Sequence, residues 1–208
     1  MASGAALAKS PVAPEAGQSG WATVQKLVQT FQSPAGAGDA HCAILADNLI
    51  DYRQIAMRSL GTADWQSLTV VQKQDLTETI AALVQNRYYP RWRKIFGKGE
   101  VTYVGEEKRN GDVVVTTNLR LGQEEESLTW LLTAPQPRVI SLAVNHNDLL
   151  TKLAQRIHAH QSKGGYRAMI TWLKSKGKSD IADGETQSGK AEAMAPLKTS
   201  SRSIDLID

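Results

Sequence analysis

The chain has 208 residues, of which 41% are hydrophobic and 22% charged, a length and composition typical of one globular domain. Its formal net charge of +3 is compatible with phosphate binding but too small to indicate a polyanionic partner. The sequence has no apolar run of about 18 residues that would predict a transmembrane helix, and its single cysteine, Cys42, excludes an internal disulfide and a cysteine-based zinc cluster.

The two ends of the chain differ in composition from the middle. Residues 1–20 are rich in Ala, Gly, Ser and Pro, and the triplet ALA at 6–8 has the small-x-small pattern that signal peptidases cut. This segment lacks the charged start and apolar core of a signal peptide, so a signal-peptide remnant and a flexible arm both remain open. Residues 177–208 have few aliphatic side chains and alternating charges, which predicts a low-complexity tail. A folded domain is therefore predicted over residues 21–176.

The first half of this domain has the residue spacing of amphipathic helices. Apolar residues recur at intervals of three and four over residues 21–32, 43–60 and 69–88, which predicts three helices that each bury one face. Gly61 follows the second helix, at a place where glycine commonly adopts the left-handed conformation of a C-terminal cap. Trp65 lies between this glycine and the next helix. We interpret this connection as a tight elbow whose tryptophan fixes the angle between two helices.

The third predicted helix has clear boundary signals. Thr69 and Gln72 have the spacing of a capping box, in which each side chain bonds the backbone N–H of the other residue. Pro90 is expected to bend or interrupt the helix near its end, because the proline ring removes a backbone donor and clashes with the preceding turn.

From residue 100 onward apolar residues alternate with polar ones, which predicts strands with one buried face. Asn110 and Gly111 are typical of a tight hairpin turn between the first two strands. Two more strands follow before residue 145, and two final helices are then predicted, the second beginning near Tyr166. Helices, an antiparallel sheet of four strands and helices again predict an α+β domain.

No arrangement of residues indicates catalysis or metal binding. His41 and Cys42 are adjacent, and adjacent side chains rarely reach the geometry of a nucleophile and its base. The two histidines of the segment IHAHQ are two apart on a predicted helix and therefore point in different directions. Asn147 or Asp148, just before an apolar helical run, is interpreted as an N-cap. We therefore predict that the protein is not an enzyme and has no catalytic residue, cofactor or metal site.

The segment NRYYPRWRKIFGKG, residues 86–99, places basic side chains among aromatic ones with no acid between them. Such a segment can bind single-stranded nucleic acid through stacking and phosphate pairing, or it can contact a membrane surface or a lipid headgroup. It can also be a helix end, where cations favour the negative end of the dipole while aromatic rings pack inward. The candidate contacts to a headgroup or a partner protein are Arg87, Arg91, Arg93 and Lys94.

Residues 50–88 carry a series of motifs in a characteristic order. These motifs are Ile50-Asp51-Tyr52, Ser59-Leu60-Gly61, Trp65, Gln72-Lys73 and the stretch from Leu83 to Tyr88. Their order resembles the MlaC-like family, also called the toluene-tolerance family, whose members are periplasmic phospholipid-binding auxiliary components of ABC transporters. The resemblance continues through the hairpin at residues 111–112 to the ending GGYRAMITWLKSK.

The chain departs from the family pattern in its last predicted strand. Where members usually have Trp-Lys-Val-Tyr-Asp followed by Gly-Val-Ser-Leu, this chain has RVISLAV over residues 138–144 and then NHNDLL. The cargo is therefore left open between a phospholipid and a hopanoid, since a hopanoid-associated branch of the family exists.

The resemblance implies an NTF2-like antiparallel sheet with a helical subdomain around an apolar cavity. It also implies a periplasmic carrier that shuttles phospholipid between an outer-membrane lipoprotein complex and an inner-membrane ABC transporter with an MCE-domain protein, and so maintains outer-membrane lipid asymmetry. No nucleic-acid partner is expected. The alternatives are a small NTF2-like enzyme, which would need an acid or base at the inward strand positions, and a nucleic-acid adaptor that depends on residues 86–99.

A lipid carrier must hide hydrocarbon from water. Each exposed methylene costs about 0.8 kcal/mol, so two long acyl chains represent on the order of 20 kcal/mol and require a deep apolar pocket. We expect the inward face of the sheet to form one wall and the facing helices to form the other. The predicted lipid-binding residues are Leu60, Ile80, Leu83, Tyr88, Trp92, Val101, Tyr103, Val115, Leu119, Leu128, Trp130 and Leu132.

Overall fold

The computed structural model describes residues 19–33 and 39–178 of the chain. The predictions for the two tails therefore lie almost entirely outside the described residues. Helices come first in the chain, then an antiparallel sheet, then a long helix. The helices before the sheet are α1 (Gly20–Gln32), α2 (Asp39–Asp47), α3 (Tyr52–Leu60), α4 (Thr62–Ser67), α5 (Val70–Leu83), a π-helix (Val84–Tyr88) and α6 (Tyr89–Phe96). The strands are β1 (Glu100–Arg109), β2 (Asp112–Leu121), β3 (Glu124–Leu132), β4 (Val139–Val144) and β5 (Asn147–Asp148), and α7 (Leu149–Lys176) follows them.

The sheet is open and antiparallel, with its strands in the order β1-β2-β3-β4-β5. The α+β prediction is confirmed, but the sheet has five strands where four were predicted. The additional strand, β5, has two residues and pairs with the end of β4 through Ala143–Asp148 and Val144–Asn147. A two-residue strand is too short to show an alternating pattern and could not be predicted from periodicity.

The hairpin between β1 and β2 forms at the predicted turn. Asn110 and Gly111 have φ angles of 53° and 84°, and Arg109 pairs with Asp112 across the turn. Positive φ at both central residues is the requirement of the tight turn that matches strand twist. The prediction of an Asn-Gly hairpin is confirmed.

The helix predicted over residues 43–60 is two helices, α2 and α3, so its predicted continuity is wrong. Between them the chain leaves the helical path and pairs with β4. The N–H of Asp51 donates to the carbonyl of Val139 at 2.9 Å, and the N–H of Val139 donates to the carbonyl of Leu49 at 2.8 Å. Asp51 then begins α3 as its N-cap, because its carboxylate accepts the Gln54 N–H at 2.9 Å. A contact with a strand distant in sequence thus overrides the local helical pattern.

The elbow after α3 contains the short helix α4, which the sequence did not predict. Gly61 has a positive φ of 90° as expected, but its ψ of 148° differs from that of a left-handed cap. Trp65 is buried in the core within this elbow. The capping box that begins α5 is confirmed, with Thr69 N to Gln72 Oε1 at 2.9 Å and Gln72 N to Thr69 Oγ1 at 3.2 Å.

The long helical stretches deviate from regular α-helix at two places. The chain passes through a π-helical turn before Pro90, which lies at the start of α6, where a missing N–H is tolerated. In α7 the backbone at Gly164 and Gly165 is not helical, and Gly165 has a φ of 64°. The two predicted final helices correspond to the segments on either side of this kink.

The core fills the space between the inward face of the sheet and the helices. Helix α1 approaches β2 closely because Gly20 has no side chain: a Cβ there would lie 2.6 Å from Val113 Cγ1 and 2.8 Å from Val115 Cγ2. Trp130 packs against Phe96, with ring centroids 5.9 Å apart. Among the described residues, no helix is long and apolar enough to cross a membrane.

Candidate functional site

An apolar pocket of about 70 Å³ lies where β4 meets the start of α7, the beginning of α3 and the end of α5. Every lining side chain is aliphatic or aromatic except that of Ser141. The lining residues are Ile50, Ile55, Leu83, Val84, Tyr88, Trp92, Val139, Ile140, Ser141, Leu142, Leu149, Leu150 and Leu153.

The strand β4 forms the floor of the pocket. All of its residues are buried, because elements cover it on both faces. Ser141 on this strand donates to Asp148 Oδ2 at 2.7 Å and accepts the Leu150 N–H at 3.1 Å. Asp148 is the N-cap of α7, as predicted, and accepts the Thr151 N–H at 2.6 Å. These bonds hold the first turn of α7, and with it the pocket wall, against β4.

The π-helix forms a second wall. Val84 and Tyr88, at its two ends, both line the pocket. Such turns are wider than an α-helical turn and occur frequently at functional sites. The pocket wall opposite β4 is therefore a segment of irregular helix.

Trp92 contributes the one buried polar atom of the pocket wall that lacks a partner. Its side chain is 4% exposed, and Nε1 makes no hydrogen bond within the described part of the chain. Its ring packs against Phe31, Tyr88 and Tyr89, with centroid distances of 5.6, 6.1 and 5.9 Å. A buried donor without an acceptor costs about 1–3 kcal/mol.

A polar knot lies behind the π-helix and fixes it to α2. Asp47 Oδ1 accepts from the hydroxyls of Tyr52 at 2.6 Å and Tyr89 at 2.7 Å, while Asp47 Oδ2 accepts from Gln85 Nε2 at 2.8 Å. Burial raises the pKa of the Tyr52 hydroxyl, and the hydrogen bond to Asp47 adds to this effect. Burial likewise raises the pKa of Tyr89, with further increases from the adjacent Tyr52 and Asp47.

A second, smaller pocket of about 40 Å³ adjoins the first. The two share Leu83, Tyr88, Leu149 and Leu153. The remaining residues of the second pocket are one tryptophan and four cations, and no acid lines it. These five residues are Arg87, Lys152, Arg156, Trp172 and Lys176.

The apolar pocket is smaller than a lipid requires. Pockets for small organic ligands measure roughly 300–1,000 Å³, whereas this one measures about 70 Å³. The side chains of β4, α7 and the π-helix therefore leave too little space between them for an acyl chain. Acyl chains would enter only if one wall moved away from another.

The structure divides the predicted lipid-binding residues into three groups. Leu83, Tyr88 and Trp92 line the pocket. Val101 and Tyr103 are partly buried on β1, where the Tyr103 ring packs 5.3 Å from that of Trp21. The remaining seven belong to the solid core, with exposures of 0–1%, and do not line the pocket. They are Leu60, Ile80, Val115, Leu119, Leu128, Trp130 and Leu132.

The reason for this division is that α1 and α6 cover the inward face of β1, β2 and β3. Trp130, for example, packs on Phe96 and donates from Nε1 to Thr117 Oγ1 at 3.0 Å. The apolar pocket lies instead beside β4. Sequence reasoning missed most of its lining, although the unbroken apolar run RVISLAV was the available signal of a strand buried on both faces. The missed apolar residues are Ile50, Ile55, Val84, Val139, Ile140, Leu142, Leu149, Leu150 and Leu153.

The predicted basic contacts do not form one patch. Arg87 lines the second pocket, whereas Arg93 lines a different cavity beside Cys42. Lys94 is exposed and Arg91 is half-buried on α6. Of these residues the structure brings Arg87 alone to the margin of the apolar pocket.

Acidic and metal-binding groups are absent from the pocket lining. Glu126, a buried carboxylate on β3, does not line it. Over the described ranges, no group of three or more His, Cys, Asp or Glu side chains could hold a metal ion.

Comparisons with known proteins add two findings. A family model described as MlaC protein matches residues 23–175. The fold is similar to the solved structure of a phospholipid-binding protein from Ralstonia solanacearum in complex with a phospholipid, with a TM-score of 0.64 and 18% sequence identity, covering 76% of this chain and 93% of that one. At this identity the likeness shows the fold alone. A comparison with curated protein sequences gave no match.

Proposed function

Because the chain belongs to the MlaC family, we propose that it is a lipid carrier that holds phospholipid acyl chains in the apolar pocket between β4 and α7. The observation that carries the proposal is the composition of this pocket, whose lining is aliphatic or aromatic except for Ser141. The similar Ralstonia solanacearum protein binds a phospholipid, which supports the same class of ligand here.

Lipid binding requires the pocket to widen. The movable wall is the first half of α7, which carries Leu149, Leu150 and Leu153. The bonds of Ser141 join its first turn to β4, and it ends at the kink of Gly164 and Gly165. A rotation about this kink would separate the leucines from β4. Burial of two acyl chains, worth on the order of 20 kcal/mol, is large enough to offset the contacts that are broken.

Family membership supports the wider role of this carrier. The protein would act in the periplasm and move lipid between an outer-membrane lipoprotein complex and an inner-membrane ABC transporter with an MCE-domain protein. The cargo would leave chemically unchanged, because no carboxylate or histidine lines the described pocket. A protein of this kind needs no cofactor.

Narrowing the pocket tests the proposal. Leu150→Trp places a larger side chain in the pocket wall, while the control Leu131→Trp enlarges a half-buried leucine of β3 that does not line the pocket. We expect native mass spectrometry with lipid extraction to find phospholipid on the wild type and the control. Leu150→Trp should retain about tenfold less, equivalent to ~1.4 kcal/mol.

Circular dichroism of all three proteins must show the same folded state for this comparison. Equal phospholipid on Leu150→Trp and the wild type would contradict binding in this pocket. Recovery of a hopanoid in place of phospholipid would support a lipid carrier but contradict phospholipid as its cargo.

A further inference from the structure

The apolar pocket adjoins a cationic surface that the proposed function does not use. The second pocket continues from the first through Leu83, Tyr88, Leu149 and Leu153. At its margin stand Arg87, Lys152, Arg156 and Lys176, which we call the cationic vestibule. A lipid whose chains occupied the first pocket would have its headgroup at this margin.

The cations of the vestibule come from three places in the chain. Arg87 lies on the π-helix, Lys152 and Arg156 on the first half of α7, and Lys176 in its last turn beyond the kink. Their convergence is a property of the tertiary structure. Lys152 and Arg156 are four residues apart on one helix, a spacing at which like charges repel and destabilise the helix.

No described acid neutralises Lys152 or Arg156. Neither forms an ion pair or hydrogen bond with another described residue, whereas Arg58 pairs with Asp112 and Lys174 with Asp75 elsewhere in the molecule. No acid is among the residues that line the second pocket. A bound anion would supply the missing counter-charge.

We infer that the cationic vestibule binds the phosphate of a lipid headgroup and selects lipids whose headgroup carries a net negative charge over zwitterionic ones. The inference rests on the proposed function, because the lipid chains must occupy the adjoining pocket. An arginine guanidinium can bond two phosphate oxygens at once, and a lysine ammonium adds a point charge. The ammonium of a zwitterionic headgroup would meet cations here and be repelled.

Competition between two lipids in the same vesicle tests this selection. The full-length protein is incubated with vesicles that contain equal amounts of phosphatidylglycerol and phosphatidylethanolamine with identical acyl chains. The protein is then separated, and its bound lipids are quantified by mass spectrometry. Both lipids are offered at one surface, so attraction of the protein to a charged vesicle does not bias the ratio.

The variant Lys152→Gln/Arg156→Gln removes two vestibule cations and keeps the leucines of the pocket. The matched control is Lys163→Gln, an exposed cation of α7 that does not line either pocket. We expect the wild type and the control to enrich phosphatidylglycerol on the order of tenfold, with a preference that falls as salt is added. The double variant should take up less phosphatidylglycerol and a similar amount of phosphatidylethanolamine, so that its preference for phosphatidylglycerol is lost.

The outcomes separate this inference from the proposed function. Headgroup selection by the vestibule would be contradicted if the wild type took up lipid without a preference, or if the double variant kept the preference. Neither result would contradict the proposed carrier function. A folded wild type that takes up neither lipid would overturn the carrier and the vestibule together. A third experiment titrates inorganic phosphate into the lipid-free protein by calorimetry. If the wild type binds phosphate, the double variant does not, and the wild type shows no lipid preference, the vestibule binds free phosphate and not a lipid headgroup.

Discussion

At the scale of single residues, the knot of Asp47, Tyr52, Tyr89 and Gln85 is the most concentrated polar feature beside the pocket. The two tyrosine hydroxyls lie 2.7 Å apart, and both donate to one oxygen of Asp47. Burial raises the pKa of both tyrosines. The folded protein therefore holds them neutral at pH values where an unfolded chain would ionise them.

This knot predicts a loss of stability in alkali. The stability that it contributes is fully present below a pH of about 10, the pKa of an unfolded tyrosine, and falls as the pH rises above it. Above this pH, each tyrosine that stays neutral in the folded protein and ionises in the unfolded chain should lower the free energy of unfolding by about 1.4 kcal/mol per pH unit. Urea denaturation at pH 8 and pH 11 measures this slope. Tyr52→Phe/Tyr89→Phe should flatten it, and an equally steep slope in that variant would show that the knot is not responsible.

At the scale of elements, the elbow between α3 and α5 is held by one aromatic side chain. Trp65 is 6% exposed and belongs to the core, and Lys73 of α5 lies 5.9 Å from the centre of its ring. Helices α3 and α5 contact each other and α7, so the angle that Trp65 fixes is passed on to the pocket wall. This arrangement supports the interpretation that Trp65 fixes the angle between α3 and α5, which we call its spacer role.

Trp65→Ala should therefore affect both stability and lipid content. Loss of a buried tryptophan typically costs about 3–5 kcal/mol, which urea denaturation measures. The lipid bound per folded molecule should also fall, because α3 and α5 lose their fixed angle. Trp21→Ala removes a half-buried tryptophan of α1 outside the pocket and should cost less stability and no lipid. Unchanged stability and lipid in Trp65→Ala would refute the spacer role.

At the scale of the whole molecule, the helices cover the sheet in two different ways. Helices α1 and α6 fill the inward face of β1 to β3 with a solid core, whereas α7 covers β4 and leaves a small pocket. A densely filled core resists rearrangement. We therefore expect the molecule to open at the contact between β4 and α7, which is flanked by the π-helix and by the Gly164–Gly165 kink.

Hydrogen exchange can detect this opening. We expect the lipid-free protein to exchange its amides faster at residues 84–88 and 149–157 than in the β1–β2 hairpin, because local opening exposes backbone bonds. Loading with phosphatidylglycerol should slow exchange in those two segments and leave residues 100–121 unchanged. Slower exchange confined to the hairpin would place the lipid elsewhere.

Much of the fold could be predicted because its signals are local. The Thr69–Gln72 capping box, the Asn110–Gly111 turn and the Asp148 N-cap each depend on residues within a few positions of one another. The α+β class followed from the change of apolar period near residue 100. The family likewise could be inferred from motifs within residues 50–88, and the match over residues 23–175 shows it.

The candidate site was decided by contacts between distant parts of the chain. An apolar residue in a core and one in a pocket wall have the same sequence pattern, so Leu128 and Leu83 could not be told apart. Whether such a residue lies in the core or in the pocket wall depends on which helix covers each strand in the folded protein. The pairing of residues 49–51 with Val139 ends α2, brings Ile50 to β4 and leaves the pocket beside α7. The same long-range packing brings together four cations from three segments of the chain. This cluster could not be predicted, because the spacing of charges along a chain does not specify their distance in space.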